Sequence, residues 1–105
     1  MKITLPPNVP FEDIQSRNSL YNSIKRNEED LLRRFPFLKE FYLDFKYSRI
    51  LSPGANTTFE TNYDLAEDES SITLRIDYSL KPTIEKVCKV ITNEISKIKS
   101  EYGYD

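Results

Sequence analysis

Histidine and tryptophan are absent from this 105-residue sequence, which holds one cysteine, one methionine and two glycines. Each shortage removes a class of chemistry. A structural zinc site takes four Cys or His ligands, and Cys88 alone cannot supply them. Serine or cysteine nucleophiles activated by imidazole are excluded for want of the base. Gly54 and Gly103 cannot build a phosphate-cradling loop, which needs several glycines for close backbone approach. Cys88 has no second cysteine to pair with, which fits a reducing compartment. Apolar runs stop at two or three residues, so no bilayer span and no secretory signal are read. Fifteen basic against seventeen acidic residues leave a net charge of −2, which is no nucleic-acid footprint.

What remains is aromatic and charged. Seven Tyr and six Phe argue against disorder, because charged disordered chains lack aromatics to bury. The length predicts one domain over 1–105, with 1–9 as an extended N-terminal arm. Charge is unevenly spread: residues 1–52 carry nine Lys/Arg against seven Asp/Glu, and residues 53–105 carry six against ten. No basic residue lies between Arg49 and Arg75, while Glu60, Asp64, Glu67, Asp68 and Glu69 do.

Hydrophobic period divides the chain into elements. Lys2–Leu5 alternates as a short strand, and Pro6, Pro7 and Pro10 break hydrogen bonding after it. Asn8 is a candidate cap for a helix running to Phe35, with Ile14, Leu20, Tyr21, Ile24, Leu31, Leu32 and Phe35 on its apolar stripe. Asn27 followed by Glu28, Glu29 and Asp30 also reads as a fresh helix start. Alternation then predicts strands around Phe41–Tyr47, Phe59–Leu65 and Ile72–Leu80, with turn chemistry at Ser52–Asn56 and a polar loop at Ala66–Ser71. Ile84, Val87, Cys88, Ile91, Ile95, Ile98 and Tyr102 follow helical spacing after Pro82, with Gly103 as C-cap.

This order predicts an α+β two-layer sandwich. Three adjacent strands read as an antiparallel meander, with the N-terminal strand as a candidate fourth and both helices on one face. The expected core is Ile24, Leu31, Phe41, Leu43, Phe45, Phe59, Tyr63, Ile72, Leu74, Ile76, Val87, Ile91 and Ile95. The opposite face is wet, with five acids, two bases and the single aromatic Tyr42 among Glu40, Asp44, Lys46, Ser48, Thr58, Glu60, Asn62, Asp64, Thr73, Arg75, Asp77 and Ser79. A sheet-based RNA reader stacks bases on several aromatics in a basic setting, so this face would repel a phosphate backbone. Ladders such as Lys46 with Glu60 and Arg75 with Asp64 are expected instead.

Function is expected to be binding rather than catalysis. The leading expectation is a small cytoplasmic protein-interaction module, such as a regulator, inhibitor or chaperone, with no catalytic residue, cofactor or metal. Another protein is the expected partner, and a homodimer is a fair expectation because unpaired strand edges invite pairing. Contact residues are placed in the acidic loop, Asp64, Glu67, Asp68 and Glu69, or in the basic stretch Arg26, Arg33 and Arg34. Nucleic acid is disfavoured as a partner; its alternative reading would use Arg17, Lys25, Arg26, Arg33 and Arg34. A third reading is a ligand-binding or carboxylate-based enzyme, with Tyr47, Tyr63 and Tyr78 lining a pocket between helices and sheet or with Glu60, Asp64 and Asp77 grouped as oxygen donors.

Overall fold

A computed structural model describes residues 1–47, 59–79 and 82–101. The expected Ser52–Asn56 turn, the sheet positions Ser48, Thr58 and Leu80, and the Tyr102 and Gly103 helix end lie outside the described residues, as does the Phe59 side chain.

The elements are β1 (Lys2–Thr4), α1 (Ile14–Lys25), α2 (Glu28–Arg34), β2 (Glu40–Tyr47), β3 (Phe59–Leu65), β4 (Ser71–Tyr78) and α3 (Ile84–Glu101). Asp13 starts α1 in place of the expected Asn8: its carboxylate accepts from the Ser16 N–H at 2.9 Å and the Ser16 hydroxyl at 2.8 Å. Asn8 instead donates to the Phe45 carbonyl at 2.7 Å, fastening the N-terminal segment to the sheet. The helix does break at Asn27, whose side-chain amide donates to the Ser23 carbonyl at 2.8 Å. Beyond the break, Glu28, Glu29 and Asp30 open α2 while Arg33 and Arg34 close it, each sign suited to its end of the helix dipole. The carboxylate of Glu28 receives both Lys25 Nζ at 2.6 Å and the Met1 ammonium at 3.2 Å. Lys25 first and the N-terminus second hold that carboxyl below its ordinary range.

The sheet has four strands in the order β1-β2-β4-β3 and is mixed, not the expected three-stranded antiparallel meander. β1 and β4 both run parallel to β2, and β3 pairs antiparallel with β4. The reason lies in which strands are most apolar. On β2 and β4 the rows Phe41–Ile72, Leu43–Leu74 and Phe45–Ile76 are buried side by side. On β3 the same face offers Thr61, Tyr63 and Leu65, which are only partly buried. Seating β4 between β2 and β3 therefore puts the two most apolar strands together in mid-sheet and leaves β3 at the edge. The β1–α1–α2–β2 segment is a crossover between parallel neighbours, whose helices must lie on a sheet face.

Helices and strands share one core. The expected Ile24, Leu31, Phe41, Leu43, Phe45, Ile72, Leu74, Ile76, Val87, Ile91 and Ile95 are buried in it, joined by Val9, Phe11, Leu20, Phe35, Leu38 and Ile98. Tyr63 packs against it from partial burial, and Ile14, expected on the apolar stripe, is 76 % exposed. Helix geometry explains Ile14: six residues before Leu20 and ten before Ile24, it lies about 80–120° round α1 from those two buried side chains. Cys88 packs at the core margin, its thiol 3.7 Å from the Ser19 carbonyl.

Leu74→Ala is expected to cost about 2–5 kcal/mol of folding stability, whereas Ile14→Ala stays within about 0.5 kcal/mol. Urea denaturation checks both. Equal costs at the two positions would contradict this placement of the core.

Candidate contact surface

The hairpin joining β3 to β4 carries most of the acidic loop. Its turn is closed by the Glu69 N–H donating to the Ala66 carbonyl at 2.8 Å, and the Ala66 N–H donates to the Ser71 carbonyl at 3.0 Å. Glu69 turns the chain at a φ of 58°, a left-handed conformation that glycine adopts without cost. Asp68 is occupied structurally, because its carboxylate accepts from the Ser70 hydroxyl at 2.6 Å and the Ser70 N–H at 3.1 Å. Those two bonds, ahead of the more distant Lys39 charge, lower the Asp68 pKa. Glu67 and Asp64 are exposed, Asp64 on the outer row of β3.

The same hairpin is stitched to the chain entering β2. The backbone N–H groups of Lys39 and Glu40 both donate to the Ser70 carbonyl, at 2.8 and 3.2 Å. Just before Lys39, Phe37 is 68 % exposed. Just before that, α2 ends in Arg33 and Arg34. Along the chain, Phe37 therefore lies between two of the three candidate arginines and the residues bonded to the acidic hairpin. Arg26 sits apart at the far end of α2, beside Ser19, Ile84, Glu85 and Cys88. Phe37 was not singled out in the sequence, where Pro36-Phe37 reads only as a helix stop. The available signal was an aromatic in a turn next to a proline, outside any apolar stripe.

Between α2 and α3 lies a surface cleft of about 430 Å³ lined by Asp30, Arg33, Arg34, Ser96, Lys99 and Ser100. Asp30 serves two cations there, with Arg33 Nη1 at 3.4 Å and Lys99 Nζ at 3.2 Å. Lys25 and Arg33, both proposed for nucleic acid, are thus engaged by acids of α2.

The sheet face opposite the helices bears the expected polar residues, but its ladders differ. Lys46 lies beside Asp77 and Arg75 beside Asp44 and Asn62, rather than Lys46 beside Glu60 and Arg75 beside Asp64. The cause is the strand order, which places β4 between β2 and β3. Arg75 Nε is 3.3 Å from Asp77 Oδ1, in ion-pair range but off a hydrogen-bond line, so that buried oxygen accepts no hydrogen bond. Glu60 pairs with Asp77, while Asp64 pairs with Thr73, which separates the expected carboxylate group. Among the described residues no three Asp, Glu or Cys side chains gather as metal ligands. Tyr47 is 61 % exposed and stacks edge-on against Tyr78 at 5.8 Å, so it does not line an interior pocket. Its register opposite Tyr78 puts it at the last position of the β2–β4 ladder. No helix among the described residues is long and apolar enough to cross a membrane.

No family model, curated protein or solved structure matches the chain.

Glu69→Gly is expected to raise folding stability by about 1 kcal/mol, because it relieves a left-handed backbone at a residue bearing a Cβ. A urea midpoint measured against the parent checks this. An unchanged or lowered midpoint would contradict the strained hairpin.

Proposed function

We propose that this chain is a small non-catalytic protein-interaction module, a regulator, inhibitor or chaperone that acts in the cytoplasm by binding another protein. The observation that carries this reading is Phe37, an exposed ring in the short connection between Arg33 and Arg34 at the end of α2 and Lys39, whose backbone is bonded to the acidic hairpin. Aromatic and arginine side chains are enriched where protein interfaces bury their centres, and charged rims set orientation and partner choice. Phe37 is short of the packing that would explain it as core, since its neighbours Phe35 and Leu38 already fill that role. Both charge signs meet at this surface, which favours a partner of mixed polarity over a polyanion. Asp68 builds the hairpin, and Glu67 and Glu69 are left to meet the partner.

Affinity capture from native lysate tests the reading with three forms of the chain: the parent, Phe37→Glu, and Glu67→Lys with Glu69→Lys. The expected result is a protein retained by the parent and reduced about tenfold or more by Phe37→Glu, with thermal melts showing that every form is folded. Retention of the same proteins by all three forms would contradict the assignment.

A further inference from the structure

We infer that a depression on the wet face of the sheet takes a lysine side chain of a partner protein, its ammonium at Asp44 and its alkyl stem along Tyr42 and Pro6. The inference rests on the reading of the chain as a protein-binding module, and it names a contact that does not involve Phe37. The depression measures about 410 Å³ and is lined by Thr4, Pro6, Tyr42, Leu43, Asp44 and Thr73. Register explains how it forms. Tyr42 stands in one row between Thr4 of β1 and Thr73 of β4. β1 ends at Thr4, and Pro6 has no N–H to continue the ladder, so the sheet thins beside Asp44.

The groups in this depression accept hydrogen bonds and present a ring. Tyr42 is 36 % exposed, and the Glu40 carboxylate, chiefly as a hydrogen-bond acceptor, raises the pKa of its hydroxyl and so keeps the ring neutral. Asp44 Oδ1 accepts the Phe45 N–H at 3.0 Å, which leaves Oδ2 for a ligand. The Thr4 hydroxyl is closed off from solvent without a hydrogen-bond partner, a cost that a turn about its Cα–Cβ bond toward a bound donor would relieve. Among the described residues no cation lines the depression. Arg75 stands beside Asp44 in the ladder, but its Nε closes on Asp77 at 3.3 Å.

Hydrogen-bond geometry decides the occupant. A guanidinium binds a carboxylate best through two parallel bonds to both oxygens, and Asp44 has already committed one of them. An ammonium is a point charge with three donors and needs a single oxygen. Its remaining N–H groups suit threonine hydroxyls, and its charge is attracted to the face of an aromatic ring. The aliphatic stem behind it covers apolar surface of the kind that Tyr42, Pro6 and Leu43 supply. A neutral apolar side chain would cover the same rings and leave the carboxylate without a donor.

Titration of the full chain with the peptide acetyl-Ala-Ala-Lys-Ala-Ala-amide, followed by amide NMR shifts, tests this. Two controls carry arginine or norleucine in place of the lysine. The expected result is saturable shifts at Thr4, Tyr42, Leu43, Asp44 and Thr73, with both controls weaker by about fivefold or more. Asp44→Asn and Tyr42→Thr should each weaken the lysine peptide by about fivefold, and Phe37→Glu should leave it unchanged. Amide shifts away from the depression report that each variant is folded, and Asp44→Asn keeps an oxygen for the Phe45 N–H. Equal binding of the norleucine peptide would reduce the depression to an apolar contact and overturn the inference. So would equal binding of the arginine peptide, full binding by Asp44→Asn, shifts centred elsewhere, or no saturable shift. Those failures, with Phe37-dependent capture intact, would remove the lysine site and leave the proposed function standing.

Discussion

Burial of one face of β4 is the constraint on which the rest of the molecule depends. Ile72, Leu74 and Ile76 are fully buried, and they require both a helix layer above and apolar strand neighbours beside them. Phe41, Leu43 and Phe45 of β2 supply the strongest neighbour, so β2 and β4 lie together although β3 intervenes in sequence. α3 covers the pair with Val87, Ile91, Ile95 and Ile98, and α1 with Leu20 and Ile24. The contacts of Ser19 with Cys88 and of Asp30 with Lys99 show α1–α2 and α3 advancing in the same direction. Both arrive at the end of the sheet where Phe37 and the acidic hairpin lie.

With one face committed to the core, charge collects on the other face, on the β3 edge and at the α2–hairpin end. On the wet face the charges answer one another across strands, as Lys46 does Asp77 and Arg75 does Asp44. On β3 and its hairpin they have one sign. The backbone tie from Lys39 to Ser70 then matters beyond stability, because it fixes the acidic hairpin relative to Phe37 and the arginines of α2.

Periodicity made much of this legible. Alternation identified β2, β3 and β4 and which residues of each face inward, and helical spacing identified α3. Strand order was not legible, because a period of two specifies a face and not a neighbour. The cross-strand pairs Lys46–Glu60 and Arg75–Asp64 failed with the order they assumed. Caps were ambiguous for a local reason: Asn8 and Asp13 are both competent acceptors, and only the path of the chain past Phe45 assigns Asn8 to the sheet. The candidate loop was legible as acidic, but the division of labour within it was not. Asp68 is bound to Ser70 and Glu69 bears a left-handed backbone, both properties of a turn that residue type alone does not specify. The exposure of Phe37 was not legible either, because a single exposed aromatic has no periodic signature.

The parallel neighbourhood of β2 and β4 is tested most directly by backbone nuclear Overhauser contacts in solution. The account predicts contacts that rise together along the two strands, Phe41 with Ile72, Leu43 with Leu74 and Phe45 with Ile76. Contacts joining β2 directly to β3, falling in one strand as they rise in the other, would contradict it.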